Sequence, residues 1–243
     1  KGRSGRTIEL NVKILGAVFN AAVRAGLIAS NPAHTAQLPE IVSEERSPFT
    51  PGEVQTLLRT AEGDWKTSVM LAAFAGLRLG DAIHRKWDEV DLVAGVLKFM
   101  PEKTSRKGKV LEIPLHKTLW RYLEALAGTA KAQGSQFLCQ TLATRPVSGR
   151  SGLSAEFAAL MDKAHVGSDT ITARDGRSRQ FKKKSFHSLR HFNVSSLANS
   201  GVAEDVRAAL VGHADPKETK RYSHLNMATL RKAVNRVGTA RKS

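Results

Sequence analysis

Residues 7–25 place Ile8, Val12, Leu15, Val18, Phe19, Ala22 and Val23 at helical spacing, with Gly26 following as a stop. This predicts one amphipathic helix whose apolar face needs partners. Asn31 and Pro32 break the pattern, and residues 39–48 are polar with a charged cluster, Glu44, Glu45 and Arg46, which reads as an exposed linker. The chain then divides near Ser43 into an incomplete small domain at 1–42 and a main domain at 43–243. A start at Lys1 with no preceding helix suggests a fragment of a longer protein. Thr50, Pro51 and Glu53 supply an N-cap hydroxyl, a proline at the first helical position and a glutamate three residues after the cap, so a helix should begin there. Residues 65–77 are helical and largely apolar. Residues 97–100 and 110–113 read as strands joined by a turn with a basic tip, Ser105, Arg106, Lys107 and Gly108. Helical patterns return at 118–126, 153–163, 185–199, 203–211 (stopped by Gly212) and 227–234, with a polar stretch at 167–184 as an exposed loop or second hairpin. The expected class is mainly α with a small antiparallel β-sheet, α+β.

Charge changes this picture more than composition does. Thirty-eight Lys and Arg against 22 Asp and Glu give a formal net charge of +16. Such a surplus favours a polyanion, and nucleic acid comes first. Only 6% of residues are aromatic and they are scattered, so duplex backbone binding fits better than a stacking platform for single strands. A lone cysteine, Cys139, excludes an intramolecular disulfide and a Cys-rich zinc cluster; it reads as a small buried hydrophobe. No apolar run reaches the roughly 18 residues of a membrane span and no signal-peptide core follows the basic N-terminus, so a cytoplasmic protein without a membrane partner is expected.

Four segments hold polar residues in unusual settings, each open to a structural reading as well as a chemical one. Arg78 follows an apolar helix between Gly76 and Gly80; it could emerge beside the core to meet a ligand or simply pair with Asp81. Lys103, beside the hairpin turn, could be a solvated lysine. His187, Arg190 and His191 stand at i, i+3 and i+4 on one helical face. Two histidines so spaced could hold zinc, but no third ligand accompanies them, and a guanidinium beside an imidazole suits a phosphate. His213 follows Gly212 at a helix end, where it could cap carbonyls; Tyr222, one of two tyrosines, could be a surface amphipathic side chain.

In order and spacing, Gly76-Leu77-Arg78, the hairpin Lys103, His187-x-x-Arg190-His191, Gly212-His213 and Tyr222 nine positions beyond that histidine resemble the catalytic domain of the tyrosine recombinases, the phage integrase family. The resemblance covers about residues 47–235. Residues 7–32 are also similar to the end of that family's helical core-binding domain, closing here on Gly26-Leu27-Ile28 and Asn31-Pro32. The resemblance implies a site-specific DNA recombinase in which Tyr222 attacks a phosphate to form a 3′-phosphotyrosyl link. Arg78 and Arg190 would bind the non-bridging oxygens, Lys103 would protonate the departing 5′ oxygen, His187 would exchange a proton with Tyr222, and His213 would donate to the phosphate. Asp81 would orient Arg78, and His191 would buttress the helix. No cofactor is called for, since two fixed cations can replace a metal. Double-stranded DNA is the implied partner, with a tetramer on two DNA sites and a monomer without DNA. In that tetramer the segment after Tyr222 would pack on a neighbour; alternatively, the stripe of Met227, Leu230 and Val234 folds back on its own core. A type IB topoisomerase shares the chemistry, and a silent DNA binder shares the surface. Target sequence and biological outcome are not legible here.

Overall fold

The computed structural model of the chain describes residues 5–38, 47–102, 108, 110–129, 134–147, 152–167, 169–172, 180–212 and 227–238. It resolves into two compact units: Lys1–Glu45 with Thr170–Lys183, and Arg46–Asp169 with Lys184–Ser243. In the first unit, helix α1 (Gly5–Arg24) is the amphipathic helix expected, with Gly26 at φ +70° just beyond it. None of its described side chains is fully buried, and Leu10, Ile14, Leu15 and Val18 are exposed. Asn31 ties the following turn to the helix, its amide donating to the Gly16 carbonyl (3.0 Å) and the Asn20 side chain (2.7 Å).

The second unit begins with α2 (Pro51–Thr60), where Thr50 and Glu53 form the capping box read from the sequence. Helix α3 (Gly63–Ala75) follows, and its residues Thr67 to Ala73 are all buried, as suits a central helix that is apolar all round. Gly76 closes it at φ +67°. A five-residue helix, α4 (Leu79–Ile83), comes next. Strands β1 (Val90–Asp91), β2 (Val96–Phe99) and β3 (Leu111–Pro114) form an antiparallel sheet in that order. Leu97 faces Ile113 and Phe99 faces Leu111 across the ladder; all four are buried, while Lys98 opposite Glu112 points to solvent. Helices α5 (Lys117–Ala127) and α6 (Leu153–Lys163) come next. Strands β4 (Thr170–Thr172) and β5 (Gln180–Lys182), in the first unit, make the polar stretch a hairpin rather than a loop. Helices α7 (Phe186–Asn199), α8 (Glu204–Val211) and α9 (Met227–Val234) complete the second unit.

Its core is one cluster built around Leu71, Leu97, Ile113, Leu123, Phe157 and Leu189, with α3 packed chiefly against α7. Ile83, Cys139, Leu142 and Leu153 form a small second cluster. Cys139 is fully buried with its thiol 3.6 Å from the Asp64 carbonyl, and burial pushes its pKa up, helped by the Asp64 charge. Helix α9 buries Leu230, Ala233 and Val234 against β3 and α8 of its own unit. In the single chain these surfaces cover the apolar residues of α9.

One ion pair fastens the start of this unit to α7. Lys184, next to the α7 N-cap Ser185, donates to both carboxylate oxygens of Glu53 at 2.5 and 2.7 Å, with its ammonium 5.4 Å from the centre of the Phe49 ring. Partial burial pushes the Glu53 carboxyl up, but the Lys184 hydrogen bond, the Thr50 backbone and side-chain bonds and the Lys184 charge outweigh it and hold the carboxyl below its ordinary 4.5. A carboxyl that titrates lower in the folded chain adds stability above its unfolded value and loses it as pH falls through the folded one. In urea unfolding the protein should therefore exceed Glu53→Gln by about 1–2 kcal/mol at neutral pH, and the gap should close as pH drops below 4.5. A gap unchanged at strongly acidic pH would mean that the amide's loss is one of packing and not of charge.

Candidate active site

The ends of α3, α4 and α8, the side of α7 and strands β2 and β3 converge on a small cleft lined by Gly76, Arg78, Asp81, Phe99, Arg190 and Val211, among others. The glycine after α3 makes this possible. A Cβ on Gly76 would lie 2.8 Å from Val211 Cγ1 and 3.1 Å from Asn193 Oδ1, so only a residue without one lets α3, α7 and α8 approach so closely. The chain leaves α3 through Gly76 and Leu77, and Arg78 becomes the N-cap residue of α4 in extended conformation. Its side chain is part-exposed and reaches Asp81 at 3.7 Å. The Asp81 carboxylate is buried and also accepts the backbone N–H of Glu102 at 3.0 Å. It thus joins Arg78 to the chain leaving β2. The pairing of Arg78 with Asp81 is real, but 3.7 Å is long for a charged hydrogen bond, and the guanidinium keeps donors for something else.

Arg190 enters from α7 and is 5% exposed. Its Nη1 donates to the Gly76 carbonyl at 2.6 Å and its Nη2 to the Val211 carbonyl at 2.7 Å. Both carbonyls lie at helix C-termini, of α3 and α8, where unpaired oxygens and the helix dipole favour a cation. Asn193, one turn further along α7, donates to the Ala73 carbonyl at 2.9 Å and is likewise buried. Burial lowers the Arg190 pKa to about 10, the nearby Arg78 charge lowers it too, and Asp81 works the other way. The site therefore concentrates two guanidinium charges that repel one another beside one buried carboxylate. Such an arrangement suits an anion.

His187 and His191 are exposed on the same helix, their rings edge-to-face with centroids 4.7 Å apart. Neither His187 nor His191 lines the cleft. Among the described residues no three His, Cys, Asp or Glu come together as a metal-binding set. Lys103, His213 and Tyr222 lie outside the described residues; Glu102, which precedes Lys103, borders the cleft through Asp81, and Gly212, which precedes His213, follows the cleft residue Val211. Gly212 is in the left-handed region at φ +64°, ending α8 where His213 follows. Asn193 and Phe99 were not singled out from sequence. The signal for Asn193 was present in its place three residues after Arg190 on one helical face.

A family model for the phage integrase family matches residues 48–229. The chain belongs to this family. Its relatives are tyrosine recombinases. The tyrosine recombinase XerC-like protein of Caldanaerobacter subterraneus subsp. tengcongensis is 23% identical over 257 residues, covering 93% of this chain and 64% of its own length. Tyrosine recombinase XerC of Stutzerimonas stutzeri is 26% identical over 252 residues, covering 97% of this chain and 75% of its own length. The chain thus spans less than two thirds of the first relative. Among solved structures, the Tn1549 transposon integrase in complex with a circular intermediate DNA superposes with a TM-score of 0.66 at 19% identity, covering 97% of this chain and 80% of that one. The tyrosine recombinase catalytic fold is therefore the fold of this chain. No described helix is long and apolar enough to cross a membrane.

Proposed function

We propose that this integrase-family chain cleaves and rejoins duplex DNA in site-specific recombination, with Tyr222 as the nucleophile. The observation that carries the reading is the convergence of Arg78 and Arg190 on one cleft, each in the other's field. A phosphodiester is anionic and expels a basic alkoxide, so its cleavage needs fixed positive charge, a nucleophile and a proton donor. Arg190 uses two of a guanidinium's five N–H donors to fix itself on backbone carbonyls. The remaining donors, with those of Arg78, suit the non-bridging oxygens. Tyr222 forms the 3′-phosphotyrosyl ester, Lys103 protonates the departing 5′ oxygen, His187 exchanges a proton with Tyr222, and His213 donates to the phosphate. The ester keeps the bond energy, so a 5′ hydroxyl of another duplex reverses the step without an external energy source.

The formal charge of +16 and the DNA held by the Tn1549 neighbour support duplex DNA as the partner. Assembly as a tetramer on two DNA sites, from a monomer without DNA, completes the reading. The test is to incubate the protein with nicked duplexes drawn from the DNA flanking its gene, quench in SDS and map any DNA-linked peptide. An adduct at Tyr222 supports the reading; an adduct on another residue overturns the nucleophile. Tight DNA binding without any adduct would leave a silent DNA binder. Exchange between two duplexes, as against relaxation of one plasmid, separates a recombinase from a type IB topoisomerase.

A further inference from the structure

Arg85 is as buried as Arg190, yet it lies behind the cleft and takes no part in the chemistry above. Its Nε donates to the Asp81 carbonyl at 2.6 Å, its Nη1 donates to the Glu89 carboxylate at 3.0 Å, and its guanidinium carbon sits 4.0 Å from the centre of the Phe99 ring. Burial lowers its pKa, while the charges of Glu89 and Asp81 raise it. An apolar side chain of similar volume would fill the same space without the cost of burying a charge. What the charge touches is specific. Asp81 and Phe99 are both walls of the cleft, one holding Arg78 and the Glu102 N–H, the other three residues before Glu102 on the strand that leads to it.

We propose that Arg85 is a positioning residue for strand cleavage, acting through Asp81 and Phe99 on Arg78. Two physical effects combine. Its hydrogen bond and ring stack fasten α4 to β2, so that Arg78 and the chain leading to Lys103 keep a fixed separation. Its charge also lies in the field of the Asp81 carboxylate, so it shares that counter-charge with Arg78 and leaves the Arg78 guanidinium more available to a phosphate. Without that sharing, Asp81 would compete with the DNA for Arg78. The proposal rests on Arg78 acting as a phosphate clamp.

The test compares the wild type, Arg85→Met, Arg85→Lys, Arg78→Lys and the Arg85→Met/Arg78→Lys double variant on the same nicked duplexes. Single-turnover adduct formation, DNA affinity and the thermal melt are measured for each. Arg85→Met should form the adduct about ten- to a hundredfold more slowly, with DNA affinity unchanged; Arg85→Lys, which restores the charge, should recover much of the rate. In the Arg78→Lys background the Arg85→Met change should cost clearly less than it does alone, because both act on one group. A merely structural role predicts instead a lowered melt with rate and affinity falling together. Wild-type cleavage by Arg85→Met, or penalties that multiply fully in the double variant, overturns the proposal while leaving the functional reading intact. Should Arg85→Met fail to fold, Phe99→Leu removes the stack but keeps the hydrogen bonds, and its slower cleavage must show the same dependence on Arg78. Absence of any Tyr222 adduct in the wild type would instead overturn the functional reading and this proposal with it.

Discussion

Arg190→Ala should slow adduct formation at Tyr222 by about a hundred- to a thousandfold while leaving DNA affinity within about threefold. The asymmetry follows from where the charge sits. Affinity is spread over a chain with 38 Lys and Arg, whereas the guanidinium of Arg190 is fixed at one point by two carbonyls. Pushed down to about 10, it still carries its proton at neutral pH, so it is a permanent cation in a cleft that Arg78 also charges. Its loss also strips the Gly76 and Val211 carbonyls of their donor, which should lower stability by about 1–3 kcal/mol. Arg190→Lys separates the two roles: an ammonium keeps the charge but cannot fork to two carbonyls and a phosphate together. Most of the cleavage loss should therefore persist in Arg190→Lys. Rates from single-turnover cleavage and affinities from anisotropy at one fixed salt concentration decide the matter; equal losses in both would count against the clamp.

Gly76→Ala should be the most damaging single methyl group that can be added near the site, lowering stability by about 2–4 kcal/mol. The backbone at φ +67° disfavours any side chain, and the added Cβ would meet Val211 at 2.8 Å and the buried amide of Asn193 at 3.1 Å. Neither neighbour is free to move, since Val211 ends α8 under Arg190 and Asn193 is bonded to Ala73. Gly212→Ala provides the control. Its φ of +64° is almost the same, but the nearest atom is the far end of the Leu111 side chain at 3.1 Å, which can yield. Gly212→Ala should lose less than Gly76→Ala, and Gly52→Ala, with open space around it, should be nearly neutral. A thermal melt lowered by about 5–15 °C for Gly76→Ala alone is the expected reading; equal losses at Gly76 and Gly212 would mean that backbone strain, and not the close approach of α3 to α8, dominates.

Elements with a strong local signal were legible from sequence, and those without one were not. The Thr50–Glu53 capping box, the run Leu153–Lys163 and the stripe Met227–Val234 appear where the pattern puts them. Strand β1 and helix α4 were missed because two and five residues carry too little periodicity, and the sheet and core define them instead. At the cleft, Arg78 and Arg190 were legible through motif order. Their environment was not. Arg190, Ser188 and Asn193 are polar residues on the buried face of α7, a combination that blurs any apolar stripe, and their carbonyl partners lie over a hundred residues away for Gly76 and Ala73. Arg85 stands in the string His84-Arg85-Lys86, which reads as a solvated charge run; burial against Phe99 is decided entirely by tertiary packing.

The thiol of Cys139 gives the protein an internal reporter of its own opening. Only the thiolate reacts with maleimides and disulfide reagents, and this one is sealed among Ile83, Leu142 and Leu153 with its ionisation pushed up. Alkylation must then wait for the segment around it to open, so its rate clocks that excursion residue-specifically, with and without DNA. The same silence leaves the surface clear: since the sequence holds one cysteine, a second one introduced on an exposed helix would take a fluorophore alone. Assembly on DNA could be followed by energy transfer between chains without first removing a native side chain from the core.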